Sequence, residues 1–240
     1  MIEVITSFNQ HYYDLIGKDC VSSWLEHWPK DMKLTCYVEE FQLPDHPRVN
    51  QIDFSNLEQS YRDLQNEDFH SSVKKFSKKA FPFIHAMYNS SADWVLWIDA
   101  DVLTENTVPN DFWSQQLDNR YLSAYMGVTY YADKEGSPGI WLVPETGMFA
   151  VNLKHPEFEK FRNEYARRYR ERDFADLRRE YDNDVLGAAI NHISAEYLDW
   201  SKNLAKAYKT PMRHTVLGKH FMHWKAKHSK HTYSQLAKDQ

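Results

Sequence analysis

Cysteine is scarce: Cys20 and Cys36 are the only two in 240 residues. Two are too few for a disulfide framework, and their spacing matches neither a zinc motif nor a redox pair, so reduced, buried thiols are expected. Long apolar runs are also missing. Nothing approaches the ~20 residues of a membrane span, and Met1 leads at once into Glu3 and the strand-like "IEVITSF" without a basic leader. A soluble, cytoplasmic chain is the expectation. An excess of positive charge is absent too: the formal net charge is -5, so the molecule as a whole does not advertise a polyanionic partner. Internal repeats, low-complexity tracts and flexible linkers are not found, which leaves one domain.

What is present is apolar and aromatic material, 42% and 15% of residues respectively, enough for a substantial core in a chain of this length. The order of elements reads βαβαβ. "IEVITSFN" is a strand, and "LIGKDCVSSWLEHW" has helical spacing of Leu15, Cys20, Trp24 and Trp28 before Pro29 stops it. "KLTCYVEEF" and "RVNQIDF" read as strands. "SSVKKFSKKAFPFIHAMYN" reads as a helix with Pro82 inside it, and "WVLWI" as a buried strand. This alternation predicts an α/β fold with a mostly parallel sheet covered by helices. Further on, "YLSAYMGVTYY" and "GMFAVNL" are strand-like, residues 156–181 predict one or two charged helices, and "DVLGAAINHI" a buried helix. After Ser201 the chain turns basic, with nine Lys and Arg against Asp239 alone and five histidines interspersed.

"WVLWIDADVL" poses the chemical question. A buried strand ends in Asp99 and Asp101, and an unpaired buried carboxylate costs several kcal/mol. Alternate residues of a strand face opposite ways, so a chelating pair requires the chain to turn just after Asp99. In parallel α/β sheets, ligands sit beyond the carboxyl ends of the strands. Two hard oxygen ligands at such an end suit Mg²⁺ or Mn²⁺ bridging to substrate phosphates. The plain alternative has Asp101 capping a turn and Asp99 paired with a basic residue.

"TSFNQHYY", "WLEHWPKDMKLTCYVEEF", "KKFSKKAFPFIHA", "DWVLWIDADV" and "ETGMFAVNLKHPEFEKF", in that order, resemble landmarks of a bacterial and phage group of nucleotide-diphospho-sugar transferases of the GT-A type. The resemblance spans nearly the whole chain. It implies a single Rossmann-like GT-A domain with a nucleotide-binding half (1–103), an acceptor-side half (104–200) and a basic C-terminal segment (201–240) closing over the diphosphate. It also implies a nucleoside diphosphate sugar donor, UDP before GDP, and Mn²⁺ or Mg²⁺ held by Asp99 and Asp101. The hydroxyl acceptor stays open: a glycan, a protein or a hydroxylated base of phage DNA.

Carried over residue by residue, the resemblance places Thr6, Ser7 and Phe8 at the nucleotide base, with Tyr12 stacking beside it and Lys79 on the nucleotide side. In "GKHFMHWKAKH", His223 takes the place of a late metal-binding histidine, with His220 as its competitor. Lys225 and Lys227 would neutralise the departing diphosphate, a role electrostatic catalysis favours, although Lys225 stands where the group has Gly. Glu145, in "ETG", and Asp184 and Asp182, in "YDNDVLG", are the candidates for the sugar or acceptor; the aspartates equally suit capping of the helix that follows. Two other classes compete. A haloacid-dehalogenase-like phosphatase would use Asp99 as nucleophile, but Val102 and Leu103 follow where that motif has a tight Gly-Thr turn. A non-catalytic nucleotide-sugar or nucleic-acid binding module would use the basic tail, while the arginines Arg162, Arg167, Arg168 and Arg170 are interleaved with acids as on a solvated helix.

Overall fold

Trp94–Ile98 is buried at every position in the computed structural model, which describes residues 1–131, 140–177, 179–193, 195–202 and 211–224. This strand, β4, lies mid-sheet. The others are β1 (Ile2–Asn9), β2 (Leu34–Glu39), β3 (Val49–Asp53), β6 (Ser123–Tyr131), β7 (Ile140–Asn152) and β8 (Tyr197–Asp199), in the spatial order β3-β2-β1-β4-β7-β6-β8. β1 is parallel to β2 and β4, β2 to β3, and β6 to β8, whereas β7 is antiparallel to both β4 and β6. Six of the seven strands therefore run the same way. The chain builds outward from β1 to β3, then returns to β1's other side with β4. That reversal is the topological switch point, where open α/β sheets bind ligands at the carboxyl ends of their strands.

The period of two along the strands sorts the core into two layers. Val95 and Trp97 of β4 join Ile5, Phe149 and Val151 against helices α3 (Gln59–Asn66), α4 (Ser71–Asn89), α6 (Phe158–Glu171) and α7 (Asp182–Ile193). Trp94, Leu96 and Ile98 join Val4, Leu34 and Cys36 on the other side, against α2 (Lys18–His27) and the short α5 (Phe112–Gln116). Both cysteines are free and buried, as their scarcity implies. Pro82 lies inside α4 as the sequence predicts. The helix before Pro29 begins earlier than expected. One turn, α1 (Gln10–Tyr12), is capped by the Asn9 side chain, which accepts from the Tyr12 amide at 2.8 Å. It runs through a wider turn at Tyr13–Gly17 into α2. The charged stretch yields only α6. At Arg172 the backbone turns left-handed (φ 57°), and the segment beyond is tied back by Arg167–Asp173 and Arg168–Asp176 ion pairs at 2.7 and 2.8 Å.

Two local features aim the fold at its switch point. The first is a break in the β6–β7 ladder: Tyr125 pairs with Phe149 but its neighbour Met126 pairs with Glu145, so Thr146, Gly147 and Met148 bulge out of the β6 register. The second is a separate two-stranded sheet of β5 (Val102–Thr104) and β9 (Phe221–His223), which the sequence reading does not foresee. Among the described residues no helix is long and apolar enough to cross a membrane.

Phe83 of α4 is fully buried, with ring centroids 4.8 Å from Phe149 and 5.8 Å from Tyr165. It fastens helix to sheet behind the site. Truncation in such a place leaves a cavity as well as losing transfer energy, so Phe83→Ala should lower the unfolding free energy by about 3–5 kcal/mol in urea titration.

Candidate active site

Alternation along β4 continues past its end. Val95, Trp97 and Asp99 share a face, which turns Asp99 toward α4 and α7. Trp97 Nε1 donates to Asp99 Oδ1 at 2.6 Å, and the Asp99 amide donates to the carbonyl of the bulged Gly147 at 2.8 Å. The chain then turns, with the Val102 amide returning to the Asp99 carbonyl at 2.9 Å. This is the turn that a chelating pair requires, and it brings Asp101 round to the same site.

Lys79, one of α4's buried residues, meets Asp99 from the helix layer. Its ammonium lies 2.8 Å from Asp99 Oδ1 and 2.8 Å from Asp182 Oδ2, and donates to the Thr146 carbonyl. The rings of Trp97 and Phe149 flank it with centroids at 5.3 and 5.7 Å. Burial works to lower the lysine pKa, but Asp182 and Asp99 outweigh it and drive the value well above the ordinary range. For Asp99 the balance falls the other way. Burial raises its carboxyl pKa, Lys79 opposes the rise, and Asp101 adds to it.

His223 approaches from the opposite side. Phe221 is wedged among Trp28, Trp113 and Phe112, with centroids 5.5, 5.7 and 6.0 Å away. That anchors β9, and antiparallel pairing then sets His223 opposite Val102, while the Trp224 amide donates to the Asp101 carbonyl at 2.7 Å. His223 Nε2 lies 3.2 Å from Asp101 Oδ1 and 3.9 Å from Asp99 Oδ2, and its Nδ1 lies 3.3 Å from Glu145 Oε1. Asp99, Asp101 and His223 each offer one ligand atom within 4.8 Å of the others. Two carboxylates and an imidazole form a mixed O/N donor set suited to Mn²⁺ or Mg²⁺, and their surplus negative charge fits a cation. Without one, a proton takes that place. Burial lowers the imidazole pKa, but Glu145 first and then Asp101 raise it, to about 10.

The remaining sequence candidates divide. Asp182 joins the cluster: its Oδ2 also accepts the Thr146 hydroxyl at 2.7 Å. Asp184, two residues along α7, turns to Arg179 at 2.9 Å. Ser7 donates to the Lys78 carbonyl at 2.7 Å, at the carboxyl end of β1. Thr6 and Phe8 are buried, Thr6 within the sheet and Phe8 against Tyr13 and Phe41, with centroids at 5.3 and 6.1 Å. Their side chains are therefore core rather than lining. Tyr12 packs partly buried on the same layer. His220 faces Phe112 edge-on at 4.8 Å rather than the carboxylates. Lys225 and Lys227 lie outside the described residues. Thr146 as Lys79's acceptor and the Tyr13–Phe41 pair depend on register and packing, which no spacing along the chain displays. A cavity of about 720 Å³ opens among Glu3, Thr35 and Asp93, at the amino ends of β1, β2 and β4, away from this cluster.

No family model matches the sequence, and none of the curated proteins is similar to it. Solved structures do match. The galactosyltransferase LgtC, solved with donor and acceptor sugar analogues, superposes with a TM-score of 0.54 at 13% identity over 100% of this chain and 96% of its own. Mouse xyloside xylosyltransferase 1 gives 0.50 at 12% identity over 83% and 85% of the two chains. The bifunctional glycosyltransferase WbbM gives 0.50 at 16% over 83% of this chain, which spans only 38% of WbbM. The chain has the GT-A fold, and its Asp-x-Asp stands at the end of the central strand.

The raised His223 value carries a pH signature. A pKa lifted from ~6.5 in the unfolded chain means that the imidazolium's contribution to stability is complete below that pH and is lost as pH rises through about 10. In EDTA, the melting temperature of the wild-type protein should fall between pH 6 and 10 relative to His223→Gln. A difference that does not change with pH would contradict the assignment.

Proposed function

We propose that this protein is a metal-dependent glycosyltransferase that moves a sugar from a nucleoside diphosphate sugar, with a UDP-sugar preferred, to a hydroxyl acceptor. The observation that carries the reading is the convergence of Asp99, Asp101 and His223 at the switch point of a GT-A sheet. These three residues would hold Mn²⁺ or Mg²⁺, and the ion would supply charge stabilisation to the diphosphate leaving group. The chain's own residues do the positioning. Lys79 holds Asp99 and Asp182 together, 2.8 Å from each, and the Thr146 hydroxyl donates to the same Asp182 oxygen. The base would lie at the ends of β1 and β2, near Ser7 and Tyr12.

An inverting transfer requires a carboxylate that takes the acceptor's proton. Asp182 is paired with Lys79, Asp184 with Arg179, and Glu145 with His223. Each of the three already has an ionic or hydrogen-bonding partner within the protein. This arrangement favours a retaining transfer, which does without that base.

A screen of sugar nucleotides with Mn²⁺, Mg²⁺ and EDTA tests the activity. Turnover should require the ion, and Asp101→Asn should reduce it by about 100-fold or more, a loss of ~2.7 kcal/mol in transition-state stabilisation. Undiminished turnover in EDTA, or turnover of p-nitrophenyl phosphate in place of a sugar nucleotide, would sink the reading. Stereochemistry is checked separately: proton NMR of the first sugar released should show the donor's own anomeric configuration, and the opposite anomer would restore the need for a base.

A further inference from the structure

Glu145 is the carboxylate of the cluster that meets the Nδ1 side of His223. It lies where β7 leaves the β6 ladder, and each of its oxygens has a donor before it. Oε2 accepts the Gly147 amide at 3.0 Å, and Oε1 faces His223 Nδ1 at 3.3 Å. The imidazole itself rests on Gly147. A Cβ at that position would come 2.4 Å from His223 Cε1 and 2.5 Å from Nδ1, so only glycine leaves room for the ring. The other ring nitrogen, Nε2, points at Asp101 and Asp99.

From this geometry we infer that Glu145 is a positioning residue for the metal site: it takes the Nδ1 proton of His223 in a hydrogen bond, locks the imidazole over Gly147, and leaves the Nε2 lone pair aimed at the ion. A histidine ligand whose distal N–H is held by a carboxylate has its tautomer and orientation fixed and its basicity raised. The inference rests on the ion site of the reading above, but it gives Glu145 a role on the histidine instead of on the acceptor.

The chemistry makes the requirement specific to a carboxylate. The Gly147 amide is an obligatory donor, and Nδ1 must carry the proton if Nε2 is to bind an ion. Glu145 therefore meets two donors and needs an acceptor at each end. Glutamine, nearly the same size, has one acceptor and one donor. If its oxygen accepts from Gly147, its amino group faces Nδ1 and drives the proton to Nε2, the tautomer that cannot ligate. If it is flipped, it opposes the Gly147 amide.

The test is Mn²⁺ alone, titrated without nucleotide and followed by the electron paramagnetic resonance of the free ion. Glu145→Gln should weaken binding about 10–100-fold, the usual effect of removing such a partner, with the near-ultraviolet dichroism unchanged. Glu145→Ala carries the test if the glutamine variant does not fold. In a His223→Ala background the same Glu145→Gln change should alter affinity less than about threefold, because the route through the ring is gone. Wild-type affinity in the single variants would overturn the inference. So would an equal loss in the His223→Ala background, which would mean that Glu145 acts only by its charge. A wild-type chain that binds no Mn²⁺ overturns it together with the metal site. A chain that binds Mn²⁺ in this pattern but turns over no sugar nucleotide refutes the transferase reading and leaves the role of Glu145 standing.

Discussion

One buried ammonium group organises this protein's site. Lys79 touches the end of β4 through Asp99, the start of α7 through Asp182, and the bulge of β7 through the Thr146 carbonyl. Each of those elements would otherwise bring a negative charge or an unmatched carbonyl into the interior. Two carboxylates on one cation are mutually held, and breaking a buried pair of this kind typically costs about 3–5 kcal/mol because the survivor keeps its charge without its water. The aromatic walls of Trp97 and Phe149 keep that water out while presenting their faces to the ammonium. Fold and site are in this sense one construction.

The bulge at Thr146–Met148 is the second part of it. A regular ladder would point these residues at β6. The interrupted register instead frees the Thr146 carbonyl for Lys79, the Gly147 carbonyl for the Asp99 amide, and the Gly147 face for the ring of His223. Bulges commonly re-aim groups beside functional sites, and here two consecutive residues, Thr146 and Gly147, serve three partners. The histidine arrives from a strand more than one hundred residues after the aspartates. Its reach depends on Trp28, Trp113 and Phe221 packing together, so the ligand set is completed only when the late strand docks. The cavity among Glu3, Thr35 and Asp93 lies elsewhere, and this site is recognised by the chemistry of its groups rather than by volume.

Much of this was legible in the chain. The apolar run before Asp99, the βαβ alternation and the helix over 71–89 follow from periodicity and burial, which are local properties of sequence. The need for a partner to Asp99 and Asp101 follows from the cost of burying charge. Resemblance points to Lys79, yet its hold on Asp182 is invisible in the chain: the two residues are 103 positions apart, and only the packing of α7 against α4 brings them together. Thr6 and Phe8 lie at a strand end, where ligands are expected, but the alternation that buries β1 on both sides takes their side chains into the core.

By itself the sequence determined the class of fold and the identity of the carboxylate pair, since hydrophobic period and the energetics of buried charge act within a few residues. The resemblance sets His223 at the metal, with His220 as its competitor. The tertiary structure decided between them as to which faces the carboxylates, because antiparallel pairing of β9 with β5 sets His223 opposite Val102 and turns His220 to Phe112. It decided the surroundings of Glu145 in the same way. A glutamate, a glycine and a distant histidine become one hydrogen-bonded unit only when a register break and an aromatic anchor bring their atoms within about 3 Å, a distance that hydrogen bonding requires and that no spacing along the chain can specify.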